Sequence, residues 1–153
     1  MRIRVLPRAE IVKLVPTEPF IWISITDPGK QHEPRPDSFA RYCRGRLCLN
    51  FWDSEDVSRT PGGFWTAENP PPALPLRDLD LFQPWQAERI VLFLLDHQTE
   101  QPEVDLLVIN CEGGQSRSPQ VAEAIRHLGR PRPEGRIARL IAEAAILPPK
   151  GER

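Results

Sequence analysis

The segment Leu106–Ile125, LLVINCEGGQSRSPQVAEAI, decides how the rest of the chain is read. An apolar run stops abruptly at a cysteine. Two glycines and an arginine between serines follow, and then Val121, Ala124, Ile125 and Leu128 recur at the i, i+3, i+4, i+7 spacing of a helix. The order is strand, loop, helix. Gly113 and Gly114 let backbone N–H groups turn inward, and Ser118-Pro119 reads as an N-cap followed by proline at the first helical position. A loop of inward N–H groups running into a helix N-terminus is an anion nest. The guanidinium of Arg117 adds a two-pronged fork for phosphate-type oxygens. The same positive field favours the thiolate, which is the nucleophilic form of a cysteine such as Cys111. The five intervening residues mean little alone: with 17 arginines in 153 positions, three cysteines produce such a match by chance about a third of the time. The setting between strand and helix is what carries the reading.

Working outward, Asp105–Asn110 is a buried strand, and so are Phe20–Thr26 (FIWISIT) and Arg46–Trp52 (RLCLNFW). Asp27-Pro28-Gly29 ends the first of these as a turn. Ile3–Leu6 is a short N-terminal strand, and Glu10–Val15 is ambiguous. Ala87, Ile90, Val91 and Leu94 predict a helix from Pro84, with the proline acceptable in its first turn. Gly129 and Pro131 end the helix after the loop; Ile137, Leu140, Ile141 and Ala144 define another before Pro148-Pro149. Strands alternating with helices predict an α/β layer fold, with a mainly parallel central sheet flanked by helices. Functional groups in such sheets lie beyond the carboxyl ends of the strands, where Cys111 and Asp53 both fall. Between Asp53 and Leu81 runs a long irregular loop with the triple proline Pro70–Pro72 and the aromatics Phe64 and Trp65. A loop of that length is more often functional than padding.

A chain of 153 residues reads as a single domain with a core of its own, residues 1–153. With 20 basic and 21 acidic residues the net charge is −1, so no global field argues for nucleic acid or a membrane surface, and anion recognition must be local. The longest apolar run, Ile90–Leu95, is too short to span a bilayer. Charges within Met1–Val15 break any secretory signal, and the expected location is cytoplasmic. Three cysteines do not form a disulfide framework, and no second pair completes a zinc site with Cys43 and Cys48, so neither metal nor cofactor is expected.

The loop resembles the Cys-x5-Arg-Ser/Thr signature of the cysteine-based protein tyrosine phosphatases, above all the compact dual-specificity branch and its bacterial and phage relatives. WISITDPG resembles their early strand, LNFWD the strand that ends in their general-acid aspartate, and RPEGRIARLI their late Pro-Asn-x-x-Val-x-Arg-Leu segment, with Glu134 in place of Asn. The resemblance implies a cysteine phosphatase-like fold and a phosphomonoester hydrolase acting on a phosphorylated protein or a small phosphomonoester. It implies that Cys111 attacks phosphorus, that Arg117 holds the equatorial oxygens, and that Ser118 donates a hydrogen bond to the sulfur. Backbone N–H groups from Glu112, Gly113, Gly114, Gln115 and Ser116 would complete the cradle. The resemblance also calls for a general-acid aspartate, for which Asp53 is the choice because it directly follows a strand, with Asp56 on the same loop as its rival. Asn110 departs from the family pattern, which has His before the cysteine.

Two other classes compete. A binding module would keep the nest, lose turnover and read phosphorylated partners. A sulfurtransferase would carry a persulfide on Cys111 and need no acid. Trp52, Trp65 and Trp85 read as packing residues. His97 and His127 read as helix-end residues facing the dipole. Arg126, Arg130, Arg132, Arg136 and Arg139 read as a solvated face.

Overall fold

In FIWISIT nearly every residue is β-branched or aromatic, and all seven are buried, the mark of a strand covered on both faces. The computed structural model describes residues 1–128 and 134–146. It sets this strand, β2 (Phe20–Thr26), in the middle of an all-parallel sheet with β1 (Arg2–Pro7), β3 (Cys43–Asn50) and β4 (Leu106–Cys111). The strand order is β1-β4-β2-β3. The helices are α1 (Arg8–Ile11), α2 (Pro84–Glu100), α3 (Arg117–Arg126) and α4 (Arg136–Ile146). Because the strands run one way, their carboxyl ends share one edge. Pairing of Pro7 with Cys111, Ser24 with Asn110 and Thr26 with Asn50 gathers four loops there.

Alternate strand residues serve two layers. Ile21, Ile23 and Ile25 face a large core built with α2, α3 and α4, each buried side chain contributing about 1.5–3 kcal/mol. Phe20, Trp22 and Val108 face the other way, where Ile11 of α1 and Phe39 cover them. Phe39 meets the Phe20 and Trp22 rings edge-on at 5.1 and 5.3 Å. The three long helices therefore lie on one face, and an aromatic cluster closes the other.

Several boundaries differ from expectation. β3 stops at Asn50 because the Trp52 N–H donates to Asp80 O (2.8 Å) instead of continuing the ladder. α2 runs on to Glu100, since Asp96–Glu100 contains no breaker before Pro102. α3 begins at Arg117, with Ser116 at the N-cap position and Ser118 already inside the helix. Pro119 fits the first turn because N–H groups there have no intrahelical partner to lose. Gly129, Pro131, Pro148, Pro149, Arg130 and Arg132 lie outside the described residues. The long loop contains only a 3₁₀ turn at Asp78–Asp80 but is tied internally, Leu76 N–H donating to Val57 O at 2.7 Å. Among the described residues no helix is long and apolar enough to cross a membrane.

Candidate active site

Cys111 ends β4 and is 2% exposed. Two groups address its sulfur: Ser118 Oγ lies 3.0 Å from Sγ, and the Gly114 N–H donates to Sγ at 3.3 Å. Ser118 thus does not cap α3. It sits in the first turn with its hydroxyl on the sulfur. The two loop glycines are unequal. Gly114 has φ +67°, and a Cβ there would stand 2.7 Å from the Pro7 nitrogen and 3.0 Å from the Leu6 carbonyl carbon, whereas a Cβ on Gly113 meets open space. Gly114→Ala is expected to destabilise the protein by at least about 1–2 kcal/mol from the left-handed conformation alone, with the clash against β1 adding more. Gly113→Ala is expected to stay within about 0.5 kcal/mol. Thermal melts of the two variants side by side check this, and equal melts would contradict the tight approach of the loop to β1.

Arg117 is 4% exposed and is anchored through one nitrogen. Nη1 donates to Phe51 O at 2.7 Å and pairs with Asp27 Oδ1 at 2.9 Å. Among the described residues Nε and Nη2 have no hydrogen-bond partner, and Arg117 lines the cleft above the sulfur. Asp27 is set by a tight turn: Lys30 N–H donates to Asp27 O (3.1 Å), with Pro28 and Gly29 (φ +78°) at its centre. Asn50 Nδ2 also donates to Asp27 O, at 3.1 Å.

On the other flank of the loop, Glu112 is clamped rather than free to face an anion. It accepts from Arg8 Nη1 at 2.9 Å, from Lys30 Nζ at 3.0 Å and, over a short contact, from Thr26 Oγ1. Burial works against its ionisation, but hydrogen bonds from Thr26, Lys30 and Arg8 outweigh it and hold the carboxyl below the usual range. Asn110, directly before Cys111, accepts from the buried Trp22 Nε1 at 2.7 Å. It serves the opposite layer of the sheet.

Asp53 accepts a hydrogen bond from Ser116 Oγ on Oδ1 (2.7 Å), and its carbonyl accepts from Gly62 N–H (2.9 Å). Gly62 lies so close that a Cβ would stand 2.6 Å from Asp53 Oδ2. Asp56 points elsewhere. The Ser58 N–H and hydroxyl both bind its carboxylate and hold it below the usual range, the wrong direction for a group that must carry a proton. A cleft of about 450 Å³ is lined by Cys111, Glu112, Gly113, Gln115, Ser116, Arg117, Asp27 and Asp53, and by the Gly62–Trp65 stretch of the long loop. Phe64 stands 96% exposed at its rim, while Trp65 packs edge-on against Trp52 at 6.3 Å. The volume is in the range of sites for small organic molecules.

Sequence reasoning missed Asp27. Its signal was available, a carboxylate just past the end of a parallel strand, but the Pro-Gly that follows claimed it as a plain turn. Arg136 is also no member of a solvated face: its Nε donates to Phe82 O at 2.6 Å, and its N–H donates to Glu55 Oε2 at 2.8 Å. His97 packs edge-on against Phe93 at 4.7 Å. The assembled site has a sulfur at its floor, a backbone N–H and a serine hydroxyl on that sulfur, one buried guanidinium with unspent donors, and a carboxyl group on the wall. That arrangement can seat a tetrahedral oxyanion against a nucleophile and supply a proton to a departing group. In comparisons with known proteins, no family model, no curated protein and no solved structure matches the chain.

Proposed function

We propose that the protein is a phosphomonoester hydrolase of the cysteine-dependent tyrosine phosphatase type, with the fold that goes with it, working through a phosphocysteine intermediate. The observation that supports this reading most is the convergence of Ser118 Oγ and the Gly114 N–H on Cys111 Sγ beside the open face of Arg117. In the first step the thiolate of Cys111 attacks phosphorus. The S–P bond forms as the bond from phosphorus to the leaving oxygen breaks, and Asp53 delivers its proton to that oxygen. In the second step water attacks phosphorus, gives its proton to Asp53, and the S–P electrons return to the sulfur. The Ser118 hydroxyl, donating to the departing thiolate, eases that return. Arg117 Nε and Nη2 face the equatorial oxygens, whose charge builds in the transition state.

The direct test offers 4-nitrophenyl phosphate, a phosphotyrosine peptide and a phosphoserine peptide to the wild type, followed by an acid quench and a search for phosphate on Cys111. Saturable phosphopeptide binding without product would favour the binding module instead. An extra sulfur on Cys111 in the mass spectrum would favour the sulfurtransferase. Asp53→Asn is expected to cut kcat by about 10²–10⁴-fold and to remove the limb of the pH–rate profile that falls as the acid loses its proton. Asp56→Ala is expected to leave both unchanged. The reverse result would transfer the acid role to Asp56.

A further inference from the structure

Ser116 has a single hydroxyl proton and two polar neighbours. Gln120 Nε2 donates to Ser116 Oγ at 3.0 Å, and Ser116 Oγ donates to Asp53 Oδ1 at 2.7 Å. An amide NH₂ group only donates, so its bond uses a lone pair of the serine oxygen and leaves the hydroxyl proton for Asp53. Gln120 reaches Ser116 because the two are four residues apart at the start of α3 and so lie one above the other. With Oδ1 held as an acceptor, a protonated Asp53 carries its proton on Oδ2. That oxygen lies against Gly62, where the wall of the cleft begins. Asp53 and Ser116 also border a second cavity of about 290 Å³ that includes Gln120 and Arg136 but does not reach Cys111. Gly62, which Oδ2 touches, lines the cleft that holds Cys111 and is not part of the second cavity's lining, so a proton on Oδ2 serves the cleft.

We propose that Gln120 is a positioning residue for proton transfer: acting through Ser116, it keeps the transferable proton of Asp53 on the oxygen that faces the cleft. The inference rests on Asp53 being the general acid. Gln120→Glu keeps the shape and reverses the hydrogen bond, because a carboxylate accepts the Ser116 proton and draws it away from Asp53. Asp53 then loses a donor and gains a negative neighbour, and both effects raise its proton affinity.

The experiment compares the wild type, Gln120→Glu and Gln120→Met on phenyl phosphate, whose leaving group needs a proton, and on 2,4-dinitrophenyl phosphate, whose leaving group does not. Gln120→Glu is expected to lower kcat on phenyl phosphate roughly 10-fold or more, a fraction of the full acid contribution. It is expected to leave the dinitrophenyl ester within about twofold and to move the alkaline limb of the pH profile upward. Gln120→Met, which has no charge, is expected to show the same leaving-group selectivity with a smaller shift of the limb. In an Asp53→Asn background the glutamate should cost nothing further. Equal losses on both esters, or full additivity with Asp53→Asn, would overturn the proposal. A wild type whose rate does not depend on Asp53 at all would instead remove the acid assignment on which the proposal stands, a separate outcome that the Asp53→Asn control reads directly.

Discussion

Cys111→Ser is expected to lower turnover of an aryl phosphate by at least ~10⁴-fold, the scale on which removal of an enzyme nucleophile is felt. A serine hydroxyl is not ionised near neutral pH, and in this site it would have no base to take its proton. The Ser118 hydroxyl and the Gly114 N–H are the polar groups on the sulfur, and Asp53 is bonded to Ser116 rather than to Cys111. Anion binding is expected to survive, because in the proposed mechanism the oxygens are seated by Arg117 and the loop backbone rather than by the sulfur. Calorimetry with tungstate on the wild type and the serine variant, beside steady-state rates, reads both halves of the prediction. An active serine variant would end the phosphocysteine reading, and a variant that neither turns over nor binds would point to a collapsed loop.

Arg117→Lys is the second large effect, expected to reduce kcat by about 10²–10³-fold although the charge is kept. The guanidinium spends Nη1 on Asp27 and Phe51 O and so presents its remaining edge at a fixed angle. An ammonium has one nitrogen and cannot serve both the anchor and the anion. If it stays with Asp27, the phosphoryl group loses its fork; if it turns to the phosphoryl group, Asp27 and the Phe51 carbonyl are left without it. In the second case the buried anchor acceptors go unpaired, at a cost of about 1–3 kcal/mol, so a lowered melting temperature beside the kinetic loss identifies that case. Near wild-type kcat in the lysine variant would mean that a point charge suffices and that the anchored fork has no role.

Much of this architecture is carried by local chemistry. The β-branched run of FIWISIT, the helical spacing after Pro84 and the strand–loop–helix order around Cys111 each depend on neighbours within a few residues, and these elements stand where periodicity puts them. The cysteine, arginine and serine of the loop are close in sequence, so their meeting at one sulfur needed only the turn that joins β4 to α3. Distant partners could not be read the same way. Asp27 is 90 residues from Arg117, and the preference for Asp53 over Asp56 rested only on its place at a strand end, without the bond that joins it to Ser116.

The amino-acid sequence by itself determined an α/β order of elements, a nucleophile candidate and the loop that cradles it. All three arise from contacts short along the chain. Only the tertiary structure decided which carboxylates reach that loop and why Gly114, unlike Gly113, must be glycine: the backbone of β1 passes 2.7 Å from where its Cβ would be. Parallel strands are joined through long crossovers, and the register that sets their ends side by side is a property of the packed sheet, which no local pattern encodes.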